Sequence, residues 1–442
     1  MNNNSCAVKE TLTSLIREMA GSPTLFAKNP GKDFSRKRKL PFENVMLLLI
    51  AMGGNSIYKE LLEASDYDVK TVTSSAFVQQ RGKILPLAFE MLFQDFTQSF
   101  IDSATRNYKG YCLLGVDGSD LHIATDPKDP DSYFQDKPGI KGYNLLHLNA
   151  MYDLLNRLYV DAIIQPRRKQ NECRALAGMV DRSNIDGNVI VVADRGYESC
   201  NVFAHIERKG WFYVIRVKDL DSNGILSGLR LPQGGEFDVR INITLTKKQT
   251  KEVKAHPDIY KFVPSTSNFD FLDLHSNKFY PISFRVVRFL LPNGSFETVI
   301  SNLDAAVFPP SALRDIYKLR WGIETSFREL KYTIGLTSFH AKKQEFIAQE
   351  VFARFIMYNF TEIITSSVAI SCTDTKHGYK ANFTVAVLVC RRFLRLRNNE
   401  PPLDVEALIR KNILPVRPVR PGQYNIRKTR SKPAVSFAYR VA

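Results

Sequence analysis

The chain has 442 residues, 44% of them hydrophobic, 11% aromatic and 24% charged. That is enough for about two to four domain-sized cores, and it excludes a largely disordered or collagen-like protein. Sixty-one Lys and Arg against 45 Asp and Glu leave a formal charge of +16, which asks for an anionic partner, either nucleic acid or an acidic membrane surface. The excess is uneven: residues 376–442 hold 15 Lys and Arg against 3 Asp and Glu, so +12 sits at one end of the chain. Six scattered cysteines with no C-x-x-C pair argue against a disulfide framework or a zinc site and suit a reducing compartment. Met1–Lys9 is polar and offers no signal peptide, and the apolar run Val45–Met52 is too short to span a bilayer. A soluble intracellular protein is expected.

Residues 1–105 have helical spacing, at Thr11–Ala20, Phe42–Met52 and Gly82–Phe100. Pro86 stands near the start of the last, where a helix tolerates it. Ser74 or Ser75 is placed to cap a short helix. The run Arg36, Lys37, Arg38, Lys39 gives this helical region a basic face. It reads either as a DNA-binding surface or as a solvated loop between core helices.

Residues 106–218 read as α/β. Tyr111–Val116 is a buried-strand run ending in Asp117, and Val189–Ala193 is another ending in Asp194. Leu145–Asp153 and Leu158–Ile164 form a hairpin around Asn156-Arg157. Glu172–Arg182 and Cys200–Arg208 are helical, and Trp211–Lys218 is a strand. Residues 219–301 turn β-rich, with Glu236–Leu245, Phe279–Leu290 and Phe296–Ile300 as strands and Pro292-Asn293-Gly294 as a turn. Residues 302–372 return to helix, including Glu345–Ser366, and 373–442 form a basic C-terminal region. Its tail, with Arg417, Arg420, Arg427, Lys428, Arg430 and Lys432, either binds phosphate backbone or is a solubilising end.

Chemistry gathers on the helix after Pro309-Pro310. At about 100° per residue, Ile316, Leu319, Ile323, Phe327, Leu330 and Ile334 form one apolar stripe. Tyr317, Arg320, Glu324 and Lys331 fall within roughly 60° of one another beside it, while Glu329 points the other way. Trp321 reads as core. An amphipathic helix with Arg320–Glu324 pairing would account for this stripe alone. Asp117 and Asp194 add a carboxylate at the carboxyl ends of two buried strands, where open α/β sheets place ligands. Either alone reads as a turn residue. Three converging carboxylates repel unless a cation neutralises them, and hard oxygen ligands select Mg²⁺ or Mn²⁺. Two such ions suit in-line phosphoryl displacement. His122 and His147 are isolated and read as core or surface residues. Arg195 either touches phosphate or pairs with a carboxylate.

These residues resemble a known family. Asp117-Gly-Ser, Ala193-Asp194-Arg195-Gly196-Tyr197 and Tyr317-x2-Arg320-x3-Glu324-x6-Lys331 look like the DDE transposases of bacterial insertion sequences. The branch is the one with a Y-R-E-K signature and a β-strand insertion, and Val299-Ile-Ser-Asn302-Leu303 is similar to it as well. The spacings of 77 from Asp117 to Asp194 and 130 from Asp194 to Glu324 agree with it.

The resemblance implies an RNase H-like catalytic core interrupted by a β-rich insertion, behind a helical N-terminal DNA-binding domain. It implies Asp117, Asp194 and Glu324 as catalytic metal ligands. Tyr317, Arg320 and Lys331 would contact phosphates at the transposon end; Arg195 and the 36–39 run are DNA-contact candidates from their own charge. The expected partners are inverted-repeat ends and target DNA, bound by a homodimer on paired ends, in the bacterial cytoplasm at the nucleoid and not at a membrane. An insertion aromatic (Phe237, Phe262, Phe269, Phe271 or Phe284) is available to receive a flipped base, although a β core explains these residues equally well. The competing readings are a nuclease of the same fold that does not join DNA, and a transposase-derived DNA-binding protein that no longer cuts.

Overall fold

The computed structural model describes residues 3–36, 38–101, 106–220, 222–274, 277–368, 378–396 and 400–416. The N-terminal helices are α1 (Asn3–Gly21), α2 (Phe42–Ala51), α3 (Ile57–Ala64), α4 (Ser74–Arg81) and α5 (Pro86–Ile101). Pro86 opens α5, where its missing N–H costs no helical bond. The cap of α4 is Thr73, whose side chain accepts from the Ala76 N–H, and not Ser74 or Ser75, which already lie in its first turn.

Next come β1 (Cys112–Ile123), β2 (Tyr133–Phe134), β3 (Tyr143–Asp153), β4 (Leu158–Pro166), α6 (Glu172–Arg182), β5 (Val189–Ala193), α7 (Cys200–Arg208) and β6 (Phe212–Val217). They are followed by β7 (Phe237–Thr246), α8 (Lys251–Ala255), β8 (Tyr260–Phe262), β9 (Phe279–Leu290) and β10 (Phe296–Ser301). The chain then continues as α9 (Pro310–Leu319), α10 (Trp321–Arg328), α11 (Gln344–Ser367), β11 (Tyr379–Ala381), α12 (Phe383–Arg395), α13 (Val405–Lys411) and β12 (Ile413–Pro415). The turns at Arg157 and Gly294 both have positive φ, 62° and 81°, as tight strand connections require.

Among the described residues, ten strands share one mixed sheet, ordered β2-β3-β1-β5-β6-β10-β9-β7-β8 with β4 beside β3. β1, β3 and β4 pair antiparallel, β1, β5 and β6 pair parallel, and β6, β10, β9 and β7 pair antiparallel. Strands β7 to β10 therefore continue the sheet that holds the aspartates.

Each face of the sheet buries its own core. One core holds Leu113, Leu121 and Ile123 of β1 and Ile190 and Val192 of β5, packed with α1, α2, α5, α9, α10 and α11. The other holds Leu114 and Val116, Val191 and Ala193, packed with α6 and α7. The alternation is the period-2 pleat. The long helix α11 is buried on nearly every side, because it lies between the sheet and the N-terminal helices.

Buried charge ties these layers together. Arg81 on α4 donates through Nη1 to Glu350 Oε1 on α11 at 2.8 Å and through Nε to Gln349 Oε1 at 2.8 Å. Burial alone would raise the Glu350 carboxyl, but Arg81, His340 and Arg354 outweigh it and hold the group well below the carboxylate range.

Among the described residues no helix is long and apolar enough to cross a membrane. The 417–442 tail, including Arg417, Arg420, Arg427, Lys428, Arg430 and Lys432, lies outside the described residues, as do Lys37 and Cys372.

Candidate active site

Asp117 does not end its strand. β1 runs on to Ile123, paired with β3 throughout, whereas its parallel pairing with β5 stops at Val116↔Ala193. Asp117 and Asp194 are the next residue on each side of that last pair. Asp194 keeps an extended backbone (φ −82°, ψ −177°). The pleat therefore puts both aspartates on the face shared by Leu113 and Val192, the face that α10 covers. Glu324 sits in the first turn of α10, one residue after Ile323 of that same core.

The aspartates are held locally. Asp117 Oδ1 accepts from the Gly118 N–H at 2.8 Å, and Asp194 Oδ1 accepts from the Gly196 N–H at 2.7 Å. Arg320 links the third carboxylate to the first. Its Nη2 donates to Glu324 Oε1 at 2.8 Å, and its Nη1 stands 3.8 Å from Asp117 Oδ2. Burial pushes the Asp117 carboxyl up to about 6. The Gly118 N–H and Arg320 pull against that rise, and Asp194 and Glu324 add to it.

This donor set suits a hard divalent cation: it is all carboxylate, and the mutual repulsion of Asp117, Asp194 and Glu324 is what a cation would relieve. Among the described residues no three His, Cys, Asp or Glu side chains already converge as ligands on one point. Arg320, a residue only 7% exposed, provides the positive charge between Asp117 and Glu324.

The expected single helix is segmented. Arg320 joins α9 to α10 in helical conformation (φ −50°, ψ −34°), and Glu329–Thr333 is a π-helical turn. Tyr317 is buried, with the Arg320 guanidinium 5.7 Å from its ring centre. Lys331 lies in the π turn and reaches back to β1, where Nζ donates to the Asp120 carbonyl at 2.9 Å. Burial lowers its ammonium below the ordinary lysine range. Glu329 does point away, toward Arg157 and Tyr358.

Trp321 is a correction to the sequence reading. It is 59% exposed, with Arg320 5.4 Å from its ring centre, and is not core. Arg195 is exposed and lines a cleft with Lys218, Lys261 and Phe262. Phe269 and Phe284 are buried, whereas Phe237, Phe262 and Phe271 are half-buried. Arg36 and Arg38 line a separate surface groove with Lys32 and Lys83, and Lys39 is exposed nearby.

One group of residues escaped the sequence reading. His147 on β3 faces Asp120 on β1 across the ladder, with Nδ1 2.7 Å from Asp120 Oδ1. Its Nε2 lies 2.9 Å from Glu172 Oε1, at the start of α6. Arg167 Nε closes on the same Asp120 oxygen at 2.8 Å. The available signal was a histidine inside a largely apolar strand, which needs partners when buried.

The transposase DDE domain family model matches residues 108–360, more than half of the chain, and this span includes Asp117, Asp194 and Glu324. The transposase InsG of insertion sequence element IS4 from Escherichia coli (strain K12) is 21% identical over 343 residues, covering 73% of this chain and 70% of that protein. The piggyBac transposase synaptic complex with hairpin DNA, a cryo-EM structure, superposes with a TM-score of 0.45 at 10% identity, covering 92% of this chain and 84% of that one. Members of the DDE family generally work with divalent metal ions. The chain belongs to the DDE transposase family, and its enzymatic function is DNA transposition.

Proposed function

We propose that this transposase cuts DNA at the terminal inverted repeats of its own element and joins the freed ends to target DNA, using Asp117, Asp194 and Glu324. The observation that carries this is the common face: the register sets both aspartates side by side under α10, and Arg320 ties Glu324 to Asp117. An antiparallel β4-β3-β1 meander joined through β1 to the parallel β5-β6 pair supports an RNase H-like core.

In the first step a water oxygen attacks the phosphorus at the element end. The bond to the 3′ oxygen breaks, that oxygen takes up a proton, and a 5′-phosphate is left. In the second step the freed 3′-OH loses its proton and attacks a target phosphodiester, releasing a target 3′-OH. Mg²⁺ or Mn²⁺ held by Asp117, Asp194 and Glu324, as two ions, would supply charge neutralisation and an activated oxygen nucleophile. Arg320 orients the Asp117 and Glu324 carboxylates and offers its fork to a phosphate. Tyr317 packs against that guanidinium, and Lys331 and Arg195 add positive charge along the DNA path. The groove of Arg36 and Arg38, together with Lys37 and Lys39, binds backbone phosphates. Two ends must be cut together, so a homodimer on paired ends is the working assembly, acting at the nucleoid.

The test is transfer of a pre-cut end duplex into a plasmid with Mg²⁺. Wild type should join, and D117N, D194N and E324Q should each fall to background in both nicking and joining. Unchanged cleavage in those variants overturns the site. Nicking without joining by wild type reduces the reaction to that of a nuclease.

A further inference from the structure

Glycines follow both aspartates, and one carboxylate occupies the space that their missing side chains leave. A Cβ on Gly118 would lie 2.8 Å from Glu172 Oε1 and 2.4 Å from His147 Nε2. A Cβ on Gly196 would lie 3.0 Å from Glu172 Oε2 and 3.0 Å from Asp194 Oδ1. Two oxygens that are each 3.0 Å from one point are at most about 6 Å apart, so Glu172 and Asp194 are neighbours. A Cβ at 118 would displace His147 and Glu172, and one at 196 would crowd Glu172, so glycine at both positions leaves room for this arrangement.

The placement has a cause in the pleat. Gly118 and Asp120 point to the face opposite Asp117, the face that α6 covers. His147 is 4% exposed and lies on that side, wedged between Asp120 and Glu172. Arg167 anchors Asp120 from the other end. The result is a chain of polar groups from Arg167 through Asp120 and His147 to Glu172, ending against the backbone that follows both aspartates. The backbone after both aspartates is thus braced from the side opposite Asp117, and only the far end of the chain, Glu172, comes near Asp194.

We propose that Glu172 and His147 are positioning residues for the cation-binding carboxylates: His147 aims Glu172 against Gly118 and Gly196, which fixes the Asp117 and Asp194 carboxylates and adds a fourth negative charge beside Asp194. This rests on the triad reading above. Partners that orient metal ligands from outside are worth roughly 10- to 100-fold in metal affinity or activity when removed. A residue needed only for folding would change the melting transition and leave cation affinity alone.

The experiment is a Mn²⁺ titration of the full-length protein followed by the EPR signal of free Mn²⁺, with thermal unfolding measured alongside. E172Q should weaken Mn²⁺ binding about 10- to 100-fold with a cooperative transition retained, and E172D should recover part of the loss. H147Q keeps every carboxylate and should weaken binding in the same direction, so it tests the link even if E172Q does not fold. In strand-transfer assays, raising Mn²⁺ should restore the rate of E172Q and H147Q but not of D117N. Wild-type Mn²⁺ affinity in both E172Q and H147Q, beside a loss in D117N, overturns the positioning role while the triad stands. Wild-type affinity in D117N overturns the triad and this proposal with it.

Discussion

Arg320 Nη2 lies 2.8 Å from Glu324 Oε1 while its Nη1 stands 3.8 Å from Asp117 Oδ2. One guanidinium therefore spans two carboxylates that come from different elements, a helix and a mid-sheet strand. The four-residue spacing of Arg320 and Glu324 would bring them together in any helix; the contact with Asp117 needs the tertiary fold. A planar fork can face both at once and still offer a parallel pair of N–H groups to a phosphate, a geometry that an ammonium's donors do not match.

The expected phenotype of R320A follows. Binding of an end duplex should weaken, and the slope of log K against log salt should fall by about 1 for the single lost phosphate contact. Mn²⁺ binding should persist, because the three carboxylates remain. R320K should recover the salt slope but little of the joining rate. An unchanged slope in R320A, measured by fluorescence anisotropy at several salt concentrations, would exclude a phosphate contact.

The carboxylate-only donor set predicts a split between metals. Mg²⁺ demands near-octahedral geometry, whereas Ca²⁺ accepts more ligands and looser geometry. Ca²⁺ should support end binding with little or no cleavage, and replacing it with Mg²⁺ should start the reaction. Cleavage in chelator with no divalent cation would remove the mechanism.

Stability should be sensitive at Arg81. R81M keeps the volume but strips Glu350 of its main cation inside a fully buried site. Breaking a buried pair from one side costs about 3–5 kcal/mol. Urea unfolding should report a loss of that size, with the N-terminal helices and α11 losing protection together in hydrogen exchange.

Acid should loosen the strands beyond β6. Arg288 makes two bonds to Asp219, both 2.8 Å, and Thr298 adds a third at 2.8 Å. These hold the Asp219 carboxyl down at about 2. A carboxyl lowered on folding stabilises the native state above its ordinary range, and that contribution is lost as pH falls from about 4 to about 2. The side chain is 42% exposed, so solvent screening limits the effect to on the order of 1 kcal/mol. D219N should lose that increment at neutral pH and converge with wild type near pH 2.

The sequence made much of this legible because the relevant signals are local. The run Val189–Ala193 and helix Glu172–Arg182 were bounded correctly by apolar period and caps. β1 was cut short at Asp117 because the apolar run stops there. Only pairing with β3 carries it to Ile123, and pairing is not written in one segment. Trp321 was misread for a related reason. Its apolar ring suggested core, but it flanks Arg320 on the exposed side, where no packing partner claims it. Lys331 was phased on an unbroken α-helix, and the π turn at Glu329–Thr333 shifts that phase by one residue. The His147–Glu172 brace was invisible because its members are remote in sequence and meet only across the sheet.

The strands after β6 have a mechanical meaning. β10 and β9 are hydrogen-bonded into the ladder that carries Asp194, with no linker between them and β5–β6. From β5 to β9 is three strand spacings, roughly 14 Å. Within that span the ladder has no hinge, so it works as a stiff ruler. Whatever grips β9 is held at a fixed distance from Asp194.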